Sequence, residues 1–276
     1  MSSELKVLLV DNGSIKPSAT LLLRKLASRL SEKSGLKIYP VSLRHANRIS
    51  REQLDGKPAR TLVPFLTEQL QAGHTQFVLL PLLFGQSGAL QDYVPEQIRL
   101  LEEEYGAIDL RIAEAVYPLP GGEPKLVQIL FDHIRQLMLQ HPAEKHPVVL
   151  VDHGSPSAQV TQVREHLATQ LQALFKSSIT IEQAVMERRE GAEYDFNGPL
   201  LQHWLSQKAR AGEKSAIVAM QFFLPGKHAG QEGDIESICS AVTHQFPDFQ
   251  VYITALIGQH PGLLSILQAR LKSTLR

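Results

Sequence analysis

Apolar residues along this chain follow two alternating rhythms. Short runs with no polar alternation, at 6–11, 36–41, 76–84 and 108–116, read as strands buried on both faces of a sheet. Between them, near 17–32, 58–72, 91–105 and 123–140, apolar positions recur at helical spacing. Leu22, Leu26 and Leu30, with Leu23 beside them, form one such stripe. The order then starts again, with strands near 147–151, 179–186, 215–224 and 249–256 and helices near 158–175, 197–211, 231–246 and 261–274. Strands alternating with helices predict an α/β fold of βαβ units with parallel sheets and right-handed crossovers.

The second series copies the first. Val7-Leu8-Leu9-Val10-Asp11-Asn12-Gly13-Ser14 returns as Val148-Val149-Leu150-Val151-Asp152-His153-Gly154-Ser155. Asn12 and His153 lie 141 positions apart, Ile98 and Ile238 140 apart, and Pro124 and Pro261 137 apart. So small a drift predicts two tandem copies of one α/β unit, 1–142 and 143–276. The join falls in the proline-interrupted polar run Gln140-His141-Pro142-Ala143-Glu144-Lys145-His146-Pro147. The carboxyl ends of both sheets are expected to face one central cleft, where α/β proteins keep their sites.

Composition narrows the class. The 276 residues suffice for two cores, and Lys+Arg 28 against Asp+Glu 28 gives no net charge to draw the protein to nucleic acid or a membrane surface. One cysteine, Cys239, fits a reducing compartment. The Leu5–Val10 run is too short for a signal peptide, and no apolar run approaches the roughly 20 residues that span a bilayer. A cytoplasmic monomer is the expectation.

The repeat also serves as an internal control. Residues shared by both copies serve the fold: Asp11 and Asp152 as acceptors in Asx-type turns, Gly13 and Gly154 for positive φ, Ser14 and Ser155 as helix caps. Residues present in one copy are candidates for function. His153 stands opposite Asn12, so the imidazole is not needed to make the turn. In the third strand, Phe222-Phe223-Leu224-Pro225-Gly226-Lys227-His228 aligns with Leu82-Leu83-Phe84-Gly85-Gln86-Ser87-Gly88, which sets His228 against Gly88. At the second strand end, Met186-Glu187 aligns with Leu43-Arg44. His153, Glu187 and His228 thus close three strands of one copy. Two neutral imidazoles and a carboxylate suit a borderline divalent ion such as Fe(II), Co(II), Ni(II) or Zn(II), with positions left open. A structural zinc site would take four ligands and usually thiolates.

These motifs, together with Asp234-Ile235, resemble the sirohydrochlorin chelatases of the CbiX/SirB type, class II tetrapyrrole chelatases. The resemblance spans the whole chain, because long members are tandem duplications with one competent half; here that half is the C-terminal one. It implies insertion of a divalent metal (cobalt, iron or nickel) into sirohydrochlorin for sirohaem or cobalamin synthesis. His153 and His228 would hold the metal and Glu187 would assist. It implies no permanently bound cofactor, the metal being substrate. It also implies a polycarboxylate tetrapyrrole partner, for which Ser155, Gly226, Lys227 and Arg44 are the candidate contacts, with Arg48 and Arg188 near by. Pyrrole N–H protons must leave as the ion enters, and an imidazole or Glu187 is an acceptor within reach. Both imidazoles must be neutral to bind metal, so activity is expected to fall on acidification.

Other readings stay open at this level. Gly13-Ser14 and Gly154-Ser155 before helices would suit a phosphate site, which leaves the one-sided histidines unexplained. Gly226-Lys227 fails as a P-loop, since Gln221 replaces its first glycine and His228 its Ser/Thr. Arg44-His45-Ala46 departs from the Arg-His-Gly of histidine phosphatases. A metal or tetrapyrrole carrier without chelatase activity would keep the same ligands.

Overall fold

The computed structural model describes residues 4–85, 87–142 and 146–276. Gln86 of the aligned third-strand loop and Ala143, Glu144 and Lys145 of the expected join lie outside them. The first repeat runs β1 (Lys6–Asp11), α1 (Pro17–Ser34), β2 (Ile38–Ser42), α2 (Leu62–Gln71), β3 (Gln76–Pro81), α3 (Val94–Tyr105), β4 (Asp109–Ile112) and α4 (Pro124–Gln140). The second runs β5 (Val148–Asp152), α5 (Ala158–Phe175), β6 (Ile181–Val185), α6 (Leu201–Arg210), β7 (Ser215–Met220), α7 (Asp234–Gln245), β8 (Gln250–Ile253) and α8 (Gly262–Thr274).

Both repeats build a four-stranded parallel sheet of the same order, β2-β1-β3-β4 and β6-β5-β7-β8. The inner strands carry the unbroken apolar runs because helices cover them on both faces; Leu8, Leu9 and Val10 are fully buried, as are Val149, Leu150 and Val151. Pro40 is tolerated in β2 because β2 is an edge strand. On α1 the inward stripe is Ala19, Leu23, Leu26, Ala27 and Leu30, with Leu22 turned half out, so the stripe lies one residue round from the expected one.

Strands end earlier than their apolar runs. β3 stops at Pro81 rather than 84 and β7 at Met220 rather than 224. Leu82, Leu83 and Phe223 remain buried beyond those ends, so the runs continue as loops folded over the sheet edge. There the ladder gives way to loop-to-loop bonds such as Val116 N–H to Leu83 O and Gly258 N–H to Phe223 O, both 2.9 Å.

The expected boundary at 142 divides the sequence repeats but not the packing. One compact unit comprises residues 1–118 and 261–276, the other residues 119–260. Helix α4 belongs to the first repeat yet packs on α5 and β7, whereas α8, from the second repeat, packs on α1 and β3. The apolar faces decide this. Leu126, Ile129, Leu130 and Ile134 of α4 are buried in the second unit, and Leu263, Ile266 and Leu267 of α8 in the first. Each repeat lends its last helix to the other unit. Among the described residues, no helix is long and apolar enough to cross a membrane.

One buried group on α4 makes stability depend on pH. His133 is buried, its Nδ1 unpartnered among the described residues, and burial, reinforced by the nearby His260, pushes it down to about 4. An unfolded chain takes up this proton near pH 6.5, which the native state refuses until about 4. Stability is therefore full above pH 6.5 and lost as pH falls toward 4, by roughly 2–3 kcal/mol for this group. His133→Leu should flatten that part of the curve in urea unfolding measured between pH 4 and 7. An unchanged slope would contradict this account.

Candidate functional site

In a sheet of order 2-1-3-4, successive crossovers leave the first strand in opposite directions. A crevice therefore opens beyond the carboxyl ends of β5 and β7. His153 follows the last residue of β5, Glu187 lies just beyond β6, and His228 lies in the loop between β7 and α7.

Backbone geometry joins the first two. Asp152 O accepts from Met186 N–H at 2.9 Å and His153 O from Glu187 N–H at 3.1 Å. Gly154 takes φ +91°, and a Cβ there would lie 1.9 Å from the Glu187 carbonyl oxygen, so only glycine lets the two loops touch. The first unit repeats this clasp. Leu43 N–H and Arg44 N–H donate to Asp11 O (2.8 Å) and Asn12 O (3.2 Å), with Gly13 at φ +90° against Arg44 O. The fold thus brings positions 12 and 44 together as it does 153 and 187.

The side chains on this frame converge. His153 Nε2 lies 3.2 Å from Glu187 Oε1, and the His153 and His228 rings meet edge to face with centroids 4.5 Å apart. His153 Nδ1 faces Gly154 O at 3.0 Å, and a carbonyl only accepts, so Nδ1 carries the hydrogen. His228 Nδ1 is 2.6 Å from Asp234 Oδ2, which fixes the same tautomer. Both rings therefore turn a hydrogen-free Nε2 away from those partners. The His153 Nε2 lone pair and Glu187 Oε1, both acceptors, point at one place, a geometry that suits a cation between them.

The convergence falls short of a closed cage. Among the described residues, no group of three or more His, Cys, Asp or Glu side chains stands ready to hold a metal ion. The site is open as well, with the His153 and Glu187 side chains 45% and 60% exposed.

The His228 loop is shaped by the start of α7. Asp234 N–H and Ile235 N–H donate to Lys227 O and His228 O, both at 3.1 Å. Gly226 N–H is spent on Ala229 O at 2.7 Å, so Gly226 shapes the loop rather than donating to a ligand. Lys227 is exposed. Ser14 and Ser155 are not helix caps: their Oγ atoms accept from Lys16 N–H (3.1 Å) and Ser157 N–H (3.0 Å), closing turns before the helices begin. In the other unit, the Arg44 guanidinium lies 3.6 Å from the Tyr93 ring centroid. Arg188 is occupied by Asp195 at 2.9 Å and by Gly198 O.

Arg164 escaped the sequence reading, and Asp234, quoted there only as part of the motif, proves to orient His228 from six residues on, across a loop. Arg164 is buried at 2% exposure with Nη1 2.5 Å from Asp152 Oδ1. Burial pushes the Asp152 carboxyl up, and Arg164 opposes that shift; the equally buried Asp11 is also pushed up and has no such cation. The signal for Arg164 was its place in the inward stripe Thr161, Arg164, Ala168, Leu171 of α5.

The sequence model of the CbiX family matches residues 6–137 and 147–274. The chain belongs to the CbiX family. Both CbiX segments follow the sequence repeats, each ending with the helix it lends. Among solved structures, the chain is similar to SirB from Bacillus subtilis with Fe3+, at 17% identity and TM-score 0.70, covering 98% of this chain and 95% of that one. The sirohydrochlorin chelatase SirB from Bacillus subtilis subspecies spizizenii in complex with cobalt gives 15% identity and TM-score 0.68, with the same two coverages, 98% and 95%. A CbiX described as the terminal enzyme of siroheme biosynthesis in denitrifying bacteria gives 16% identity and TM-score 0.64, covering 98% of this chain and all of the other. At these identities the likeness speaks for the fold of CbiX proteins. A search of curated proteins found no match.

The clasp generates a paired prediction. Gly13→Ala and Gly154→Ala should each cost at least about 1–2 kcal/mol in urea unfolding, because both force a Cβ against a carbonyl at positive φ. Only Gly154→Ala should disturb the ring signals of His153 in NMR spectra. Equal disturbance by Gly13→Ala would show that the clasps are not local to their units.

Proposed function

We propose that this chain inserts a divalent metal ion, cobalt, iron or nickel, into sirohydrochlorin. The observation that carries the reading is the meeting of His153, Glu187 and His228 at one sheet edge, where the other repeat has Asn12, Arg44 and Gly88. Membership of the CbiX family and the metal-bound SirB relatives support it.

The metal is substrate. His153 and His228 offer it their Nε2 atoms, with Asp234 holding His228 in the tautomer that leaves this atom free. Three donors at most leave coordination positions for the incoming macrocycle nitrogens, and an open site lets the ion leave with its product. Two pyrrole N–H protons depart as the ion enters; with both Nε2 atoms on the metal, the Glu187 carboxylate beside His153 accepts one and solvent water carries off the other. The substrate's carboxylates are gripped by Lys227 and by the Ser155 hydroxyl.

Incubation with sirohydrochlorin and Co(II) or Fe(II), followed by absorbance against a control without protein, tests the activity. His153→Ala and His228→Ala should each lower insertion at least about 100-fold, within the usual range for groups in the reacting zone. Asn12→Ala should insert metal at nearly the wild-type rate. Metal binding without turnover by the unaltered protein would mark a carrier instead.

A further inference from the structure

We propose that Arg164 is a positioning residue for His153, acting through the buried Arg164–Asp152 ion pair and Asn197. The inference rests on the functional reading above for its activity readout, and on the site geometry for the rest.

Asp152 ends β5 and precedes His153 in the chain. Its Oδ1 accepts from Gly154 N–H at 3.1 Å and from Arg164 Nη1 at 2.5 Å. The other arms of the guanidinium reach Asn197 O at 2.6 Å and Gln183 Oε1 at 3.3 Å. Asn197 is fully buried, and its side chain grips the far side of the same loop. Its Oδ1 accepts from Ser155 N–H at 3.0 Å and Thr161 Oγ1 at 3.4 Å. Its Nδ2 donates to Ser155 O at 2.9 Å and Tyr194 O at 3.1 Å. His153 therefore stands between two residues that one arginine and one asparagine hold from below. Among the described residues, its own ring makes only the Gly154 and Glu187 contacts and the edge-to-face meeting with His228.

The other unit shows what the fold does without this brace. At the offset of 141, Leu23 takes the place of Arg164 and is buried at 1%. The next residue, Arg24, still pins the loop after β2, donating to Leu54 O (3.0 Å), Lys57 O (2.7 Å) and Pro58 O (3.1 Å). Among the described residues it sends nothing under the strand; the Asp11 carboxyl is held by Ser42 and the Gly13 N–H, and its Oδ1 has no partner. Pinning that loop is common to both units, whereas a cation beneath the carboxylate occurs only under the imidazole. A buried ion pair adds little net stability, because desolvation offsets its attraction. Folding does not call for Arg164, since the first unit closes its sheet with a leucine. Fixing the direction of His153 remains as its role.

Arg164→Leu strands a buried carboxylate and can fail to fold, so the decisive variant is Asp152→Asn with Arg164→Leu, which removes both charges. It should melt within a few degrees of the unaltered protein. Its kcat for metal insertion should fall at least about 10-fold with the sirohydrochlorin KM unchanged, the pattern of a group acting on the transition state alone. Arg164→Lys, with its charge kept and its fork lost, should retain part of the kcat. The ring C–H signals of His153 in the metal-free protein, assigned with His153→Gln, provide a readout that needs no activity. They should broaden or shift in the double variant, while those of His133 stay in place. Unchanged His153 signals and unchanged kcat would overturn the proposal, as would a kcat loss matched by an equal loss of folded protein. Altered His153 signals in a protein that inserts no metal even when unaltered would uphold the brace and sink the chelatase reading instead.

Discussion

The structure depends on a contact in which no side chain takes part. At the end of the first strand of each unit, two carbonyls accept from the two N–H groups that follow the second strand, and a glycine without a Cβ lets the loops touch. Because the backbone makes this contact, it holds whatever side chains flank it. One position beside it has become Asn12 in one unit and His153 in the other; its neighbour across the clasp has become Arg44 and Glu187. The fold guarantees proximity, and the side chains decide the chemistry. In one unit an imidazole and a carboxylate stand at this point, in the other an amide and a guanidinium stacked on Tyr93.

Above the clasp, the second unit spends buried polar groups on direction. The Asp152–Arg164–Asn197 network and the His228–Asp234 pair both hold an imidazole from behind and leave Nε2 forward. Neither adds a donor atom at the sheet edge, and both fix where an Nε2 points. A site so exposed has little else to keep its rings in place, because packing cannot lock a half-exposed side chain.

Much of this was legible in the sequence, for physical reasons. Inner strands buried on both faces must be apolar throughout, so Val7–Val10 and Val148–Val151 declare themselves. The doubled chain turned one sequence into a two-member comparison, and the mismatches His153/Asn12, Glu187/Arg44 and His228/Gly88 fall on side chains that the structure brings together in one unit. Strand ends were less legible, because Leu82, Leu83 and Phe223 stay buried after the ladder stops and hydropathy does not register hydrogen bonds. Arg164 and the role of Asp234 were missed because a polar residue's partner is set by tertiary geometry, twelve residues back along the chain in one case and across a loop in the other. The helix exchange was invisible for a related reason: an amphipathic helix states which face it buries, but not against which sheet.

That exchange bears on how such a chain can arise and change. Two identical single-repeat chains that trade their last helices form a closed pair in which neither is complete alone. Joining the end of one to the start of the other makes the trade intramolecular, so assembly no longer depends on protein concentration. The joined chain also escapes the rule that both copies be identical. Each repeat still owes the other a helix, so neither can be discarded. Beyond that structural debt, the two repeats are free to differ, and the first one has Asn12 and Gly88 where the second has its imidazoles.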